Sequence, residues 1–295
     1  MTAPLQTTIG KTVSLAGVGL HSGAHCRVVI KSAAADAGVV FRKESGAAVR
    51  AAAATIADTR LCTRLANEAG DAVGMVEHLM AAFAITSLDN AIIEIVGPEL
   101  PILDGSAAPY VSAIEAAGVV ALSALRPTIV VRAPVEVGDG ARVIRAEPHD
   151  RRIIEIDIAY DDAAIGAQSL TLDLDRPADL RRLSRARTFC RLADVEAMRR
   201  DGLSLGGSLD NAIVVDGGRI LNPEGLRDPG EFALHKALDL LGDLRLAGWP
   251  IIGKISARRP GHDLNARFLR HLLASSSAWM RRSPAPPSAQ VGDAL

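Results

Sequence analysis

The sequence predicts an α+β protein built from two α/β units that join near residues 122–127. Short β-branched segments alternate with helical patterns on both sides of that junction, which is typical of packed layers of strands and helices. The length of 295 residues suits two modest domains better than one large domain. Because 48% of the residues are hydrophobic and only 3% are aromatic, we expect each core to be built mainly from Ile, Leu, Val and Ala.

The first predicted unit covers residues 1–125 and contains strands followed by helices. Residues 76–84 repeat apolar side chains at spacings of three and four, which indicates a helix. Gly97 and the prolines at 98 and 101 interrupt the chain, and Ser106 opens a second helix that runs to about residue 117. Short β-branched runs predict strands at residues 26–30, 39–41 and 90–96.

The second predicted unit covers residues 126–278 and begins at Arg126 and Pro127. Its predicted strands are residues 128–137, 153–160 and 251–256. Residues 231–246 form the longest predicted helix, and a last helix starts near residue 264. Residues 279–295 contain several prolines and no hydrophobic periodicity, so we expect them to be a disordered tail.

Charge and cysteine content exclude several classes of protein. The net charge is −1 and no basic stripe is present, so a nucleic-acid partner is not expected. The first ten residues lack the pattern of a secretory signal, and no apolar run is long enough to span a bilayer. Three widely spaced cysteines form neither a disulfide framework nor a CxxC pair, so a cytoplasmic location is predicted.

The strongest local pattern for chemistry is the pair His235 and Asp239 in the predicted long helix. Residues four apart lie on the same helix face, so an imidazole nitrogen and a carboxylate oxygen can chelate one zinc ion at about 2.0–2.2 Å. Asp243 falls one turn further along the same face. The alternative is an exposed intrahelical His–Asp pair without a metal, and for this spacing alone it is the commoner case.

A second pattern is the dipeptide Glu77–His78 in the first predicted helix. Neighbouring helical residues diverge by about 100°, yet both can border one cavity. His78 would then bind a metal ion while Glu77 takes a proton from water. This is not the HExxH pattern of zinc proteases, since only one histidine lies on the helix. A surface dipeptide is the alternative, but the apolar residues on both sides place the pair beside a core.

A third pattern is the turn at residues 260–265, which leads into the last predicted helix. Asp263 is a candidate N-cap, and His262 would lie at a mobile, accessible corner. An imidazole there could act as a general acid or as a cation beside developing charge. A solvent-exposed turn histidine without a function is an equally good interpretation of the residues alone.

The glycine-rich segment 17–23 permits close approach of the backbone to a ligand. It lacks the lysine and the spacing of a P-loop, so we do not interpret it as a nucleoside triphosphate site. His21 and His25 could be metal ligands, but a role in a hairpin or turn is favoured.

Seven segments, in order along residues 5–275, carry a resemblance to a known family. They are GVGLHSG (17–23), VEHLMAA (76–82), PELPILDGSAAP (98–109), SRARTF (184–189), LGGSLDNA (205–212), HKALD (235–239) and GHDLN (261–265). On these motifs the chain resembles the UDP-3-O-acyl-N-acetylglucosamine deacetylases, zinc enzymes that commit bacterial cells to lipid A synthesis. No single motif is decisive, but seven in order make coincidence a poor explanation.

The resemblance implies a fold, a reaction and a cofactor. The fold would be two similar α/β sandwich domains packed face to face, with the zinc site between them. The enzyme would remove the N-acetyl group from UDP-3-O-(3-hydroxyacyl)-N-acetylglucosamine and release acetate and the free amine. The chain would act as a monomer with one Zn²⁺. The implied metal ligands are His78, His235 and Asp239.

The resemblance also implies roles for further side chains. Glu77 would be the general base, and His262 the protonated group that assists the leaving amine. Thr188 would help to hold the oxyanion, while Asp243 would orient His262. The side chains implied to lie along the nucleotide-sugar path are Lys236 and Phe189.

A small insert at about residues 190–220 is implied to form part of a hydrophobic passage for the acyl chain. Within this segment Cys190 stands where the family commonly has glycine after the Thr–Phe pair. The exact shape of the passage is therefore expected to differ from that of other members.

Three other functions compete with this interpretation. A catalytically silent protein that binds a UDP-sugar or an acyl chain would be favoured if a catalytic position were missing, and none is. A nucleic-acid-binding module is disfavoured by the near-neutral charge and the few aromatic residues. A zinc amidase for another N-acyl substrate stays open on local chemistry, because only the resemblance selects the UDP-sugar.

Overall fold

The computed structural model describes residues 5–283, and these residues form an α+β fold. Helices and strands are both abundant in the described range, and the strands belong to several separate sheets. The predicted fold class is therefore confirmed.

The first half of the fold runs from residue 5 to residue 125. Its strands are β1 (Leu5–Ile9), β2 (Val13–Val18), β3 (His25–Ser32), β4 (Val39–Lys43), β5 (Ala48–Arg50), β6 (Ile56–Asp58), β7 (Arg64–Ala66), β8 (Ala72–Val73), β9 (Ala91–Val96) and β10 (Val119–Leu125). Its helices are α1 (Glu77–Thr86) and α2 (Ala108–Ala117). The strands and helices predicted for this half are confirmed, and seven shorter strands are added to them.

The second half follows directly. Its strands are β11 (Thr128–Val131), β12 (Val135–Asp139), β13 (Arg142–Glu147), β14 (Arg152–Ala159), β15 (Ala167–Asp173), β16 (Phe189–Arg191), β17 (Ile213–Asp216), β18 (Arg219–Ile220), β19 (Ile251–Arg258) and β20 (Trp279–Arg282). Its helices are α3 (Pro177–Ser184), α4 (Leu192–Arg200), α5 (Glu231–Leu244) and α6 (His262–Ala274). The predicted long helix is confirmed, with a 3-10 turn at Arg245–Ala247 as its last part.

The single strand predicted over residues 128–137 is wrong, because β11 and β12 are separate there. The backbone N–H groups of Arg132 and Ala133 both donate to the carbonyl oxygen of Ala278, at 2.7 and 3.1 Å. Pro134 follows and has no N–H with which to continue a ladder. The chain therefore leaves one strand and starts another at this point.

The predicted start of the tail at residue 279 is also wrong. Residues 279–282 are β20, which pairs antiparallel with β11 from Val131↔Trp279 to Thr128↔Arg282. A four-residue strand shows too little periodicity to be distinguished from a tail, and only its partner strand stabilises it. Residues 284–295, the rest of the predicted tail, lie outside the described residues.

The two halves share one strand topology. The first half orders its large sheet β2-β3-β9-β4-β5, and the second half contains the corresponding path β12-β13-β19-β14-β15. In both paths the central strand pairs antiparallel on one side and parallel on the other. The first and last strands of each half also pair antiparallel with each other. This correspondence agrees with two similar units, while their face-to-face arrangement stays a prediction.

Helices α1 and α5 precede the central strands β9 and β19 and pack directly against each other. Every residue of α5 except Lys236 is buried, as is α1 from Glu77 to Phe83. A Cβ built at Gly242 would overlap the backbone carbonyl of Glu77, so the missing side chain lets the two helix backbones approach closely. This contact brings the first turn of α1 beside the polar face of α5.

The structure can be compared with two predictions from the sequence, which concern membrane-spanning segments and disulfide bonds. Within residues 5–283, no helix combines the length and the apolar character needed to cross a membrane. Cys26, Cys62 and Cys190 are all free thiols, in agreement with the absence of a predicted disulfide framework.

Candidate metal centre

Two histidines and one aspartate meet between α1 and α5. His78 comes from α1, whereas His235 and Asp239 lie one turn apart on α5, and all three side chains are buried. Each offers one ligand atom, and these atoms lie within 4.8 Å of one another. The structure thus brings together the three ligands that the resemblance implied.

The spacing of these atoms fits a tetrahedral zinc ion. Asp239 Oδ1 lies 3.3 Å from His235 Nε2 and 3.8 Å from His78 Nε2. Two ligands at about 2.0–2.2 Å from a tetrahedral ion are about 3.3–3.6 Å apart, so small side-chain shifts complete the geometry. Two imidazoles and a carboxylate are also a donor set that zinc prefers, with one position left for water or substrate.

The protonation states of the three side chains suit the binding of a metal cation. Burial lowers the pKa of His78 to about 3 and also lowers the pKa of His235, so both imidazoles are neutral at pH 7. Burial acts against the Asp239 carboxylate, but its pKa lies well below the usual range, and the Lys236 ammonium at 2.8 Å is a charged neighbour that lowers it. His235 Nδ1 donates a hydrogen bond to the Ala186 carbonyl oxygen at 3.1 Å, which leaves Nε2 with a free lone pair.

A second set of titratable groups lies beside the ligands. His262 Nε2 is 3.8 Å from Glu77 Oε1 and 4.0 Å from Asp239 Oδ2. Its other ring nitrogen, Nδ1, donates to Asp243 Oδ2 at 2.8 Å. One ring nitrogen of His262 is therefore held by a carboxylate, while the other points at the cluster of His78, His235 and Asp239.

These groups have pKa values displaced toward neutral or basic pH. Burial raises the pKa of Glu77 to about 8, against the opposing effect of His262. Burial disfavours the His262 imidazolium, but the Asp243 carboxylate outweighs this and raises the pKa of the ring to about 10. An acid and a base with perturbed pKa values in one buried site are typical of a catalytic centre.

The sequence-based description of the 260–265 turn is wrong in two respects. His262 is only 8% exposed, so it is not at an accessible corner. Asp263 does not cap the helix: the N-cap of α6 is Gly261, and the Asp263 carboxylate pairs with Arg142 at 2.6 Å. The interpretation failed because it treated the turn as a surface feature, whereas α5 and the first half cover it.

Two residues of the site were missed from the sequence. Thr63 donates its backbone N–H to Glu77 Oε2 at 3.0 Å, and its hydroxyl bonds to Asp243. Asn265 Nδ2 donates to Asp243 Oδ2 at 2.8 Å. Asn265 lies inside the GHDLN motif and could have been found there, but nothing in the sequence around Thr63 points to the site.

Lys236 and Phe189 lie next to the metal ligands. The Lys236 ammonium bonds to Asp239 Oδ2 at 2.8 Å and lies 5.4 Å from the centre of the Phe189 ring. The same ring packs edge-on against His235 and against Phe232, at centroid distances of 6.3 and 5.0 Å. Both residues therefore border the cluster, while their contact with a nucleotide sugar stays a prediction.

A cavity of about 310 Å³ opens beside the cluster and is built largely from the 190–220 segment. Thr188, Phe189 and Cys190 lead into it, and α4 supplies one wall through Leu192, Val195 and Met198. Thr188 donates its backbone N–H to Gly105 at 2.8 Å, which anchors this entrance. The largely apolar lining agrees with the predicted passage, and the role of the Thr188 hydroxyl stays a prediction.

The glycine-rich turn at 17–23 presents its backbone to a carboxylate of the same chain. Glu99 Oε1 accepts the N–H groups of His21 and Ser22 at 3.1 and 2.7 Å, and a Cβ at Gly19 would overlap this carboxylate. The expected turn position of His21 is confirmed, but its ring is buried and lines the cavity with Thr188. His25 is exposed at the start of β3.

A family profile and several known proteins are similar to this chain over nearly its whole length. The profile of one family, described as UDP-3-O-acyl N-acetylglycosamine deacetylase, matches residues 6–274. A UDP-3-O-acyl-N-acetylglucosamine deacetylase of Phenylobacterium zucineum is 43% identical over 290 residues, covering 97% of this chain and 99% of the relative. Enzymes of the same name from Chromobacterium violaceum and an Anaeromyxobacter species are 42% and 45% identical, covering 93% and 91% of this chain and 92% and 88% of the relatives.

Proposed function

Because the chain belongs to the UDP-3-O-acyl N-acetylglycosamine deacetylase family, we propose that it is a zinc-dependent deacetylase of lipid A biosynthesis. Its substrate is UDP-3-O-(3-hydroxyacyl)-N-acetylglucosamine, and its products are acetate and the free amine. The observation that carries the proposal is the meeting of His78, His235 and Asp239 from the two halves of the chain.

His78, His235 and Asp239 would hold the zinc ion. When bound with three protein ligands, zinc supplies a Lewis acid and lowers the pKa of a water molecule to about 7. The neutral imidazoles and the ionised carboxylate support this assignment, since each already has the protonation state of a ligand.

Glu77 is the general base of the proposed reaction, and it removes the proton of the attacking water. Its buried carboxylate is kept in position by the Thr63 N–H, and its raised pKa makes the ionised form a stronger base than an exposed glutamate. The attack converts the planar amide into a tetrahedral centre whose oxygen carries negative charge. The Thr188 hydroxyl is proposed to stabilise this oxygen, a contribution of about 3–4 kcal/mol for a well-placed donor.

His262 is the proposed general acid. Its raised pKa keeps the ring protonated at neutral pH, and Asp243 fixes Nδ1 so that Nε2 faces the cluster. Nε2 can then give its proton to the glucosamine nitrogen as the C–N bond breaks. Asp243 acts through His262 and does not itself touch the substrate.

Substrate recognition is proposed to use the side chains and the cavity that border the cluster. Lys236 and Phe189 suit an anionic nucleotide sugar, since they supply a cation and an aromatic face. The cavity of about 310 Å³, which Phe189 also lines, would take the acyl chain.

One assay tests the proposal as a whole. Purified protein is incubated with UDP-3-O-acyl-N-acetylglucosamine, and acetate release is followed before and after treatment with a chelator. We expect release that stops on chelation and returns when Zn²⁺ is added. Binding of the substrate without acetate release would instead favour a silent binding protein, and release only from other N-acyl compounds would favour an amidase of different specificity.

The cytoplasmic location, the monomeric state and the lack of a nucleic-acid partner stay predictions. Size-exclusion chromatography with light scattering tests the second of these. A dimer would contradict it without affecting the proposed chemistry.

A further inference from the structure

A buried charge cluster lies where the two halves join, outside the metal centre. Asp89 Oδ1 accepts Nε and Nη2 of Arg126 at 3.0 and 2.9 Å, and Nη2 of Arg245 at 3.3 Å. The side chains of all three residues are at most 4% exposed. Arg126 belongs to the connection between the halves, and Arg245 follows the last turn of α5.

This cluster carries one positive charge too many. Two guanidinium groups share a single carboxylate, and burying an uncompensated charge costs several kcal/mol in proteins. Burial lowers the pKa of Arg245 to about 10, with Asp89 opposing and Arg126 adding to the effect, so the group is still charged at neutral pH. A compensating negative charge near these two arginines would therefore stabilise the fold.

Each of the two arginines has an N–H donor that is free to bind a compensating anion. Arg126 Nη1 and Arg245 Nε are buried and find no hydrogen-bond acceptor within residues 5–283. Leaving a buried charged donor unpaired costs free energy, so such groups are rare unless a bound molecule satisfies them.

Both arginines line a small cavity whose size and lining residues suit a small anion. Its volume is about 40 Å³, whereas one water molecule needs roughly 10–15 Å³, so the space suits a small ion and excludes a nucleotide. Arg152 is the third charged lining residue, and it is neutralised by Asp175 at 3.0 Å. The other lining residues within 5–283 are apolar residues, such as Trp249 and Leu244, or glycine. None of them is acidic.

We propose that this cavity is a binding site for a small monovalent anion, a halide or a small carboxylate, held by Arg126 Nη1 and Arg245 Nε. The anion neutralises the excess charge beside Asp89 and ties the connection between the halves to the end of α5. The site is separate from the metal centre and does not depend on the proposed deacetylase activity.

Thermal unfolding of the full chain tests the proposal. Sodium bromide and sodium acetate are each compared at constant ionic strength with sodium gluconate, whose anion is too large for the cavity. A site-bound anion raises the melting temperature by about 2–4 °C at roughly five times its Kd, and the effect saturates. Comparison of the bromide and acetate series shows whether the site prefers a halide or a carboxylate.

The Arg126→Met variant removes the excess charge while Arg245 still pairs with Asp89. We expect it to lose the saturable effect of bromide and acetate. Lys31→Met is the matched control, because it removes one surface charge that pairs with Glu94, and it should respond like the unmodified chain. Equal responses of Arg126→Met and Lys31→Met would overturn the proposal.

A direct measurement keeps the proposal testable if Arg126→Met does not fold. Crystals of the unmodified chain are soaked in bromide, and anomalous scattering is measured at the bromine edge. A peak within hydrogen-bond distance of Arg126 Nη1 and Arg245 Nε supports the site. Density without an anomalous signal there excludes a halide site, and if acetate also fails to raise the melting temperature saturably, the proposal is wrong.

Discussion

Glu77 and His262 face each other across the metal cluster, with 3.8 Å between Oε1 and Nε2. Both are buried, and both pKa values are raised, but for different reasons. Burial has the largest effect on the pKa of Glu77, with His262 opposing it, whereas Asp243 keeps His262 charged. This difference is the basis on which we propose Glu77 as the base and His262 as the acid.

Replacing Glu77 tests its proposed role as the general base. Glu77→Gln keeps the size and the acceptor for the Thr63 N–H but cannot take a proton, so kcat should fall by about 10²–10⁴. Zinc content, measured by atomic absorption, should stay unchanged because the three ligands are intact. Glu115→Gln, on the exposed face of α2, is the control and should keep full activity. Full activity in Glu77→Gln would remove Glu77 from the mechanism.

Replacing a ligand should separate metal binding from acid–base chemistry. His78→Ala removes one of three donors, and since losing even an outer partner of a ligand costs about 10–100-fold in affinity, zinc retained after dialysis should fall at least tenfold. His271→Ala removes an exposed histidine of α6 and should retain its zinc. Unchanged zinc content in His78→Ala would contradict the ligand set.

At the level of secondary structure, the contact of α1 with α5 depends on a position without a side chain. A Cβ at Gly242 meets the carbonyl group of Glu77, which belongs to the backbone and cannot rotate away. The gain in helix propensity from alanine, about 1 kcal/mol, is therefore outweighed by the forced separation of the helices.

We expect Gly242→Ala to lower the free energy of unfolding by about 1–3 kcal/mol in urea titrations and to weaken zinc binding. The matched control is Gly218→Ala in the β17–β18 turn, where an added Cβ has open space and φ is not left-handed. It should stay within about 0.5 kcal/mol of the parent. If both variants were equally stable and bound zinc equally well, the close contact would not control the site.

Helix α4 offers a test of the acyl passage. Met198 lines the cavity, so Met198→Trp should exclude part of a long acyl chain and raise KM about fourfold for each methylene lost from the pocket. Glu196→Trp adds the same bulk on the exposed face of the helix and should leave KM unchanged. A short-acyl substrate should not distinguish the two variants. Equal KM values for the long substrate would place the acyl chain elsewhere.

At the scale of the whole molecule, the proposed metal ligands join the two halves, since His78 comes from one half and His235 and Asp239 from the other. An ion bound there stabilises only the assembled fold. At a hundredfold excess over its Kd, zinc should raise the melting temperature by about 5 °C or more relative to chelator-treated protein. His78→Ala serves as the control and should show no such rise. Identical melting of the treated and zinc-loaded parent would contradict a metal at this junction.

Much of the local structure could be predicted from the amino-acid order. The periodicity of residues 76–84 and 231–246 indicated α1 and α5, and isoleucine-rich runs indicated β9 and β19. The spacing of His235 and Asp239 placed both on one face because helix geometry is local. Short strands such as β20 were missed, since their stability comes from a partner strand far away in the chain.

Long-range packing supplied the rest of the site. Thr63 and Asp243 are 180 positions apart, and no spacing rule connects them. The close approach at Gly242, the burial of His262 and the excess charge beside Asp89 likewise exist only when both halves are assembled. Helical and strand periods report on near neighbours, whereas burial, and with it the displaced pKa values of Glu77, His78 and His262, depends on what the remainder of the molecule packs around a side chain.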